Sequence, residues 1–470
     1  MIERAKKDPP PVFESLRDEQ PEFIEITDFE KFAFGRTKHS RWRGQRSVEE
    51  LATAFYEVLR RDESQCKIQP LKIIKFGDNP NDPYFRAKTA ESDSLAVSFA
   101  DGTEERLWSG PIQVPAKFGD TVFNIHFDYS EALGISGGFG AVYNDKYNDA
   151  IAALYDNIDN ELQENSIYNG KPIGVVAGHW KYFLGNTSDA SRDKIVYSER
   201  MQRELDAYLF NPIKQNPKSS LVGDENLNRS ILLTGKYGTG KTSAAGMAAE
   251  LCEQSGWTFI KADFSYGHDS MGVVESAMDA AKLYQPAVVY VEDFDTMASK
   301  IDEGSKTDSA VLELLDGLGA KSGDNTILIL TANSPKRIPS GWLRPGRVDK
   351  LIEFQNFDFD TFRKMFAVAC PPDKLPEISY RDYRKLYRAF GDLPPAFVRH
   401  VIDDTMLMTG DKLVSAGDFL ASANSPSLRT HVDLATYDES KNTKKNPYSD
   451  LVKTLGKLYD KIRRVDYVDD

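Results

Sequence analysis

The apolar positions of this chain change their spacing several times, and each change predicts an element. Early in the chain they fall in short runs of β character: Phe23-Ile-Glu-Ile-Thr27, Leu71-Lys-Ile-Ile-Lys-Phe76, Ser94-Leu-Ala-Val-Ser-Phe99 and Val122-Phe-Asn-Ile-His-Phe127. Turn-forming combinations separate them, among them Gly77-Asp78-Asn79-Pro80, Asp101-Gly102 and Ser109-Gly110-Pro111. Between the first two runs, Val48, Leu51, Ala52, Phe55, Val58 and Leu59 recur at helical spacing, which predicts a helix over 47–61. A small α+β domain over 1–143 accounts for this mixture. From 144 to 165 the stripe Ile151, Leu154, Ile158, Leu162 predicts a second helix, and 198–209 a third that ends near Asn211-Pro212. The stretch 144–229 therefore reads as a helical connector.

Beyond it the apolar runs stop alternating. Ser230-Ile-Leu-Leu-Thr234, Trp257-Thr-Phe-Ile260, Pro286-Ala-Val-Val-Tyr-Val291 and Thr326-Ile-Leu-Ile-Leu-Thr-Ala332 are almost wholly apolar. That is the composition of parallel strands covered on both faces, and helical stretches lie between them. The prediction for 230–357 is an α/β layer built on a parallel sheet. A helical segment with Phe362, Phe366, Leu386 and Phe390 follows over 358–423. The last segment, 424–470, joins a Ser-, Asn-, Thr- and Lys-rich linker to an amphipathic helix carrying Leu451, Leu455, Leu458 and Ile462.

The polar residues at the ends of these strands carry the chemistry. The first strand runs into Gly235-Lys236-Tyr237-Gly238-Thr239-Gly240-Lys241-Thr242, the phosphate-binding pattern G-x-x-x-x-G-K-[ST]. Its glycines let successive N–H groups turn inward on an anion. Lys241 supplies a charge for the β and γ phosphates, and Thr242 a hydroxyl ligand for Mg²⁺. Ser243 opens a helix whose positive end faces the nucleotide. The strand before Glu292-Asp293-Phe-Asp295 ends in three carboxylates, where P-loop enzymes hold Mg²⁺ and orient the attacking water. Asn333 ends the next strand at the same sheet edge. Leu343-Arg344-Pro-Gly-Arg347-Val-Asp349 places two guanidiniums on a tight turn.

Composition narrows the partners. The 470 residues exceed one core and predict two or three domains. A net charge of −13 gives no general attraction to nucleic acid. Cys66, Cys252 and Cys370 are too far apart for a zinc or redox pair and read as buried thiols in a reducing compartment. No apolar stretch suits a secretory signal or a membrane span, so a soluble, cytoplasmic protein is expected. Arg36, Lys38, His39, Arg41, Trp42, Arg43 and Arg46 form a basic cluster, read as a solvated loop with phosphate contact as the alternative. The glycine-rich stretch 134–140 reads as a flexible loop, with partner or substrate contact as the alternative.

Together the P-loop, the acidic strand tip, Asn333 and Leu343-Arg-Pro-Gly-Arg-Val-Asp349 resemble the AAA family of ATPases within the AAA+ group, over about 198–423. The resemblance implies ATP and Mg²⁺ as ligands and a homo-oligomeric ring, usually a hexamer. Asn333 resembles the sensor 1 residue, Arg344 and Arg347 the arginine fingers that reach a neighbour's nucleotide, and 358–423 the helical lid. Tyr266, with Phe264 as the second candidate, is similar in position to the aromatic that lines the pore of protein-threading members. Departures exist. The usual Asp-Glu of the acidic strand is Glu292-Asp293 here, which puts Glu292 at the metal position and Asp293 at the catalytic one. Lys236-Tyr237 replaces Pro-Pro, and Gly391-Asp-Leu-Pro-Pro-Ala396 lacks the sensor 2 arginine, with Arg399 the nearest. The function implied is remodelling or threading of a protein substrate, recruited by the N-terminal domain directly or through an adaptor. A nucleic-acid motor or loader, and an ATP-gated scaffold that hydrolyses slowly, are the alternatives.

Overall fold

The computed structural model describes residues 24–26, 36–43, 46–61, 68–73, 90–130, 134–176, 181–184, 195–214, 228–264, 270–302, 304–320, 325–370, 378–391, 393–410 and 412–425. The chain divides into two compact units, Met1–Gln355 and Asn356–Asp470.

The first unit contains two sheets. In the N-terminal one, β1 (Ile24–Ile26), β2 (Arg36–Arg43), β3 (Gln69–Ile73), β4 (Ala90–Glu91), β5 (Asp93–Ser98), β6 (Glu104–Gln113), β7 (Val122–Ser130) and β8 (Gly134–Asn144) pair in the order β1-β3-β6-β7-β8-β2. Two of them lie off that path: β4 pairs with β3, and β5 with β6. Helix Val48–Arg61 covers the sheet and packs beside helix Asn148–Glu164. Phe55 is central, with its ring 5.3 Å from both Phe123 and Phe139. The helix begins in a reciprocal cap: Glu50 N–H donates to Ser47 Oγ at 3.2 Å, and Ser47 N–H donates to Glu50 Oε2 at 3.0 Å.

Two expectations fail here for physical reasons. The glycine-rich stretch is not a loop but β8, paired with β7 on one side and β2 on the other. Its glycines serve close approach: a Cβ on Gly137 would lie 2.7 Å from the Ser47 carbonyl carbon and from Leu51 Cδ1. The basic run 36–43 is likewise strand β2, in register with β8 from Arg36↔Asn144 to Arg43↔Gly137. Arg46 is buried rather than part of a solvated surface.

The second sheet has seven strands. β9 (Pro172–Val175), β10 (Lys181–Phe183), β11 (Arg229–Gly235), β12 (Thr258–Ala262), β13 (Ala287–Val291), β14 (Thr326–Ala332) and β15 (Lys350–Phe354) take the order β10-β9-β12-β13-β14-β11-β15. Every neighbour pairs parallel except β10 with β9. Every residue of β13 and β14 is buried, which is why those runs lack alternation. One face packs Val289, Leu328 and Leu330 against helix Ser270–Leu283. The other packs Val288, Ile327 and Ile329 against helix Lys241–Ser255. The segment 144–229 is thus not purely helical, since β9 and β10 extend this sheet. Nor does its third helix stop at Pro212. It runs from Glu199–Leu205 through a wider turn at Asp206–Phe210 into Asn211–Lys214. The widened ladder accommodates a proline with no N–H to give.

The second unit holds helices Phe359–Ala369, Tyr380–Phe390, Pro395–Thr409 and Ala416–Ala423. Phe362, Phe366, Leu386, Phe390 and Phe419 form its buried centre. Asp358, Ser379 and Ser415 cap three of the helices with side-chain oxygens. Cys252 and Cys370 are buried, and no described helix is long and apolar enough to cross a membrane. Cys66, Tyr266 and the expected helix at 451–462 lie outside the described residues.

Candidate functional site

The parallel strands deliver their C-terminal residues to one edge of the sheet, and the candidate residues meet there. The loop after β11 needs backbone that most residues avoid: Gly235, Gly238 and Gly240 have φ of 144°, 74° and 99°. At Gly235 a Cβ would lie 2.4 Å from the Phe354 carbonyl oxygen, so β15 leaves no room for a side chain. Tyr237 and Gly238 are exposed at the loop's crest, whereas Thr239 is buried and donates its hydroxyl to the Lys236 carbonyl at 2.8 Å. Ser243 is half-buried on the first turn of the following helix.

Lys241 folds back over this loop. Its ammonium donates to the carbonyls of Gly235 at 2.7 Å and Lys236 at 3.0 Å, and to Asn333 Oδ1 at 2.8 Å. Burial pushes its pKa below the ordinary lysine value, against the opposing pull of Asp293 and Asp295. Asn333 Nδ2 in turn donates to Asp293 Oδ1 at 2.8 Å. Lys241, Asn333 and Asp293 thus form one hydrogen-bonded line across the ends of β11, β14 and β13.

A second line lies beside it. Thr242 Oγ1 donates to Glu292 Oε1 at 3.2 Å, and Lys261 Nζ is 3.5 Å from Glu292 Oε2. A hydroxyl next to a carboxylate is a hard-oxygen pair suited to Mg²⁺, which takes one or two carboxylates and completes its shell from phosphates and water. Among the described residues no cluster of three or more His, Cys, Asp or Glu forms an all-protein metal cage. The residues present therefore fit a nucleotide-borne Mg²⁺.

The two adjacent acids are set apart by backbone. Asp293 is the one non-glycine residue among the described residues with positive φ, at 48°. The left-handed conformation costs an ordinary side chain about 1–2 kcal/mol, less for Asp, and it turns the Asp293 carboxylate toward Asn333 while Glu292 stays with Thr242. Thr331 Oγ1 accepts the Asp293 N–H at 3.0 Å and fixes the turn. The third acid of the strand tip, Asp295, leaves the site. It is 1% exposed and accepts the N–H groups of Asn333 at 3.2 Å and Ser334 at 2.9 Å. It holds the Asn333 turn in place.

Residues 343–349 are anchored to the same strand that carries the P-loop. Asp349 Oδ2 accepts the Ser230 N–H at 2.8 Å, and Ser230 Oγ accepts the Asp349 N–H at 3.1 Å. Arg347 forms a fork with Asp316 at 2.6 and 2.9 Å and donates to the Gly341 carbonyl at 2.7 Å. Arg344 is exposed. Neither arginine makes a described hydrogen bond to Lys241, Asn333 or Asp293. Phe264 is half-buried and packs against the core, while Tyr266 is outside the described residues.

Residues 231–356 match the family described as "ATPase family associated with various cellular activities (AAA)". The chain carries an AAA domain. Among its curated relatives is the 26S proteasome regulatory subunit 4 homolog of Schizosaccharomyces pombe, 25% identical over 38% of this chain and 42% of that protein. The proteasome-activating nucleotidase of Methanothermobacter thermautotrophicus is 28% identical over 35% of this chain and 42% of its own. ATP-dependent zinc metalloprotease FtsH of Mycobacterium leprae is 26% identical over 46% and 28%. The chain thus covers less than half the length of each. A solved FIGL-1 AAA domain in complex with ADP aligns with 53% of this chain and 86% of its own, at 18% identity and a TM-score of 0.40.

The phosphate loop has a supporting residue that sequence reasoning missed. Tyr197, just ahead of helix Glu199–Leu205, donates its hydroxyl to the Gly240 carbonyl at 3.0 Å. Its ring stands edge-on to Phe354 at 5.8 Å, and a Cβ on Gly240 would come within 3.2 Å of it. The P-loop is therefore braced from below by a tyrosine 43 residues upstream. The motif's own spacing carries no trace of that partner.

Proposed function

We propose that this protein is a ring-forming ATPase that couples ATP hydrolysis to remodelling or threading a protein substrate. The observation that carries the ATPase part is the pair of side-chain lines at the strand ends, Lys241–Asn333–Asp293 and Thr242–Glu292. They divide phosphate binding, water orientation and metal ligation among separate residues. Lys241 and the N–H groups of the loop hold the phosphates. Asp293 and Asn333 orient water for in-line attack on the γ-phosphate, with Asp293 accepting its proton. Mg²⁺ held by Thr242 and Glu292 would neutralise charge on the phosphate oxygens. The backbone strain at Asp293 favours turnover over a passive scaffold, since such conformations persist where a side chain must be aimed.

Ring formation enters through the arginines. The fork to Asp316 and the clamp of Asp349 to Ser230 hold the 343–349 turn rigid at the surface. In this proposal Arg344 and Arg347 complete the site of an adjoining subunit, and the assembly is a homo-oligomer, with a hexamer as the expected number. A protein substrate is favoured over nucleic acid by the net charge of −13 and by the proteasome-related names of two relatives. Tyr266 is the proposed pore residue, with Phe264 as the second candidate. The N-terminal α+β domain is the proposed site of substrate or adaptor contact, and a cytoplasmic location goes with this reading.

Arg347→Ala tests the shared site. ATP binding should stay within about threefold of the parent, and turnover should fall on the order of 10³-fold. Adding a Lys241→Ala subunit, which keeps its arginines, should restore part of the rate in mixed assemblies. Full turnover by Arg347→Ala alone would contradict the proposal.

A further inference from the structure

Tyr290 is a residue that neither the phosphate loop nor the two side-chain lines use, yet it lies under both acids. It occupies β13 two positions before Glu292, so the two side chains leave the same face of the strand. That face looks onto helix Lys241–Ser255, where Tyr290 packs in one buried cluster with Ala244, Ala245 and Ala248. The residue is 3% exposed, and its ring is tilted against Phe259 at 6.0 Å.

Its hydroxyl is the unusual part. Thr242, Thr331 and Glu292 all lie close enough to compete for it, but none meets it at full hydrogen-bond geometry. An unpaired buried hydroxyl is costlier than the hydrogen a phenylalanine would place there. Its three neighbours are not ordinary core residues. Thr242 donates to Glu292, and Thr331 accepts the Asp293 N–H.

Glu292 needs such a donor. Its side chain has three torsions to fix and is 35% exposed, and its partner Lys261 is 37% exposed. An ion pair so open to water holds a carboxylate weakly. A hydroxyl on a ring locked inside the sheet–helix layer holds it with little loss of side-chain freedom.

We propose that Tyr290 is a positioning residue. Its hydroxyl donates to the Glu292 carboxylate and keeps that carboxylate beside Thr242 when a nucleotide with its divalent cation is bound. The inference rests on the reading of Thr242 and Glu292 as the cation-holding pair.

The test compares the parent with Tyr290→Phe by titrating a fluorescent ADP analogue, once in EDTA and once across a MgCl₂ series. Tyr290→Phe should leave the affinity in EDTA unchanged and raise the MgCl₂ concentration for half-maximal enhancement about tenfold. Thermal stability should stay level or rise, because an unpaired buried hydroxyl has gone. A merely structural tyrosine predicts that same stability with an unaltered MgCl₂ dependence, and that result would overturn the proposal. Equal weakening with and without MgCl₂ would overturn it too. If the parent itself bound the analogue in EDTA but gained nothing from MgCl₂, the cation-holding reading of Thr242 and Glu292 would fall first, and the proposal with it.

Discussion

Lys241→Ala is expected to weaken ATP binding by at least about a hundredfold. The ammonium now satisfies itself with two loop carbonyls and Asn333 Oδ1, at 2.7, 3.0 and 2.8 Å. Phosphate oxygens would replace those acceptors with charged ones, and hydrogen bonds to charged groups are worth about 1.5–3 kcal/mol each. Losing two of them costs about 3–6 kcal/mol, or on the order of 10²–10⁴ in affinity. The folded loop itself should survive, because Tyr197, Thr239 and Phe354 brace it independently of the lysine. Titration with a fluorescent ATP analogue measures the loss, and circular dichroism checks the fold. Affinity within threefold of the parent would mean that the cradle does not hold phosphate.

Glu50→Ala should destabilise the first unit by about 3–5 kcal/mol, the cost of removing one partner from a buried ion pair. Glu50 is 1% exposed; it accepts four hydrogen bonds and forms an ion pair with Lys181. Arg46 lies at 2.9 Å, Lys181 at 3.7 Å, Tyr284 OH at 2.7 Å, Ser166 Oγ at 2.7 Å and the Ser47 N–H at 3.0 Å. Burial alone would raise this carboxyl; the charges of Lys181 and Arg46 and the Ser166 and Ser47 donors outweigh it, holding the pKa below its ordinary value. Alanine would leave two cations buried together beside the rings of Tyr284 and Tyr168. Glu50→Gln keeps the shape and one acceptor oxygen, so its loss should be smaller than that of alanine. Urea unfolding of the three proteins measures this. Equal stability of alanine variant and parent would show that the cluster does not hold the unit together.

The same cluster bears on how the protein works. Glu50 belongs to the helix over the N-terminal sheet, Lys181 to β10, and Tyr284 directly follows helix Ser270–Leu283 of the AAA sheet. The N-terminal domain is therefore seated on the ATPase layer through a buried polar junction.

What the sequence reveals follows from how local each signal is. β11, β13 and β14 are legible because two-sided burial demands unbroken apolar runs, and the P-loop because one short loop must supply glycines, lysine and hydroxyl together. Glu292, Asp293 and Asn333 are legible because parallel strands put their ends at one edge. Asp295 is not, since the adjacent turn alone decides that it caps Asn333 and Ser334 rather than facing the site. Strand β8 is hidden because glycine signals a loop, whereas here it admits the backbone of Ser47. The Glu50 cluster is hidden most deeply: Glu50 and Tyr284 stand 234 residues apart, and no periodicity links them.

The central claim is that active sites are shared between subunits, and the ATPase rate per subunit across a dilution series tests it most directly, with mass photometry on the same samples. The account predicts a rate that rises in step with the fraction of protein in rings and falls toward zero for isolated chains. A rate per subunit that is constant while rings dissociate would contradict it.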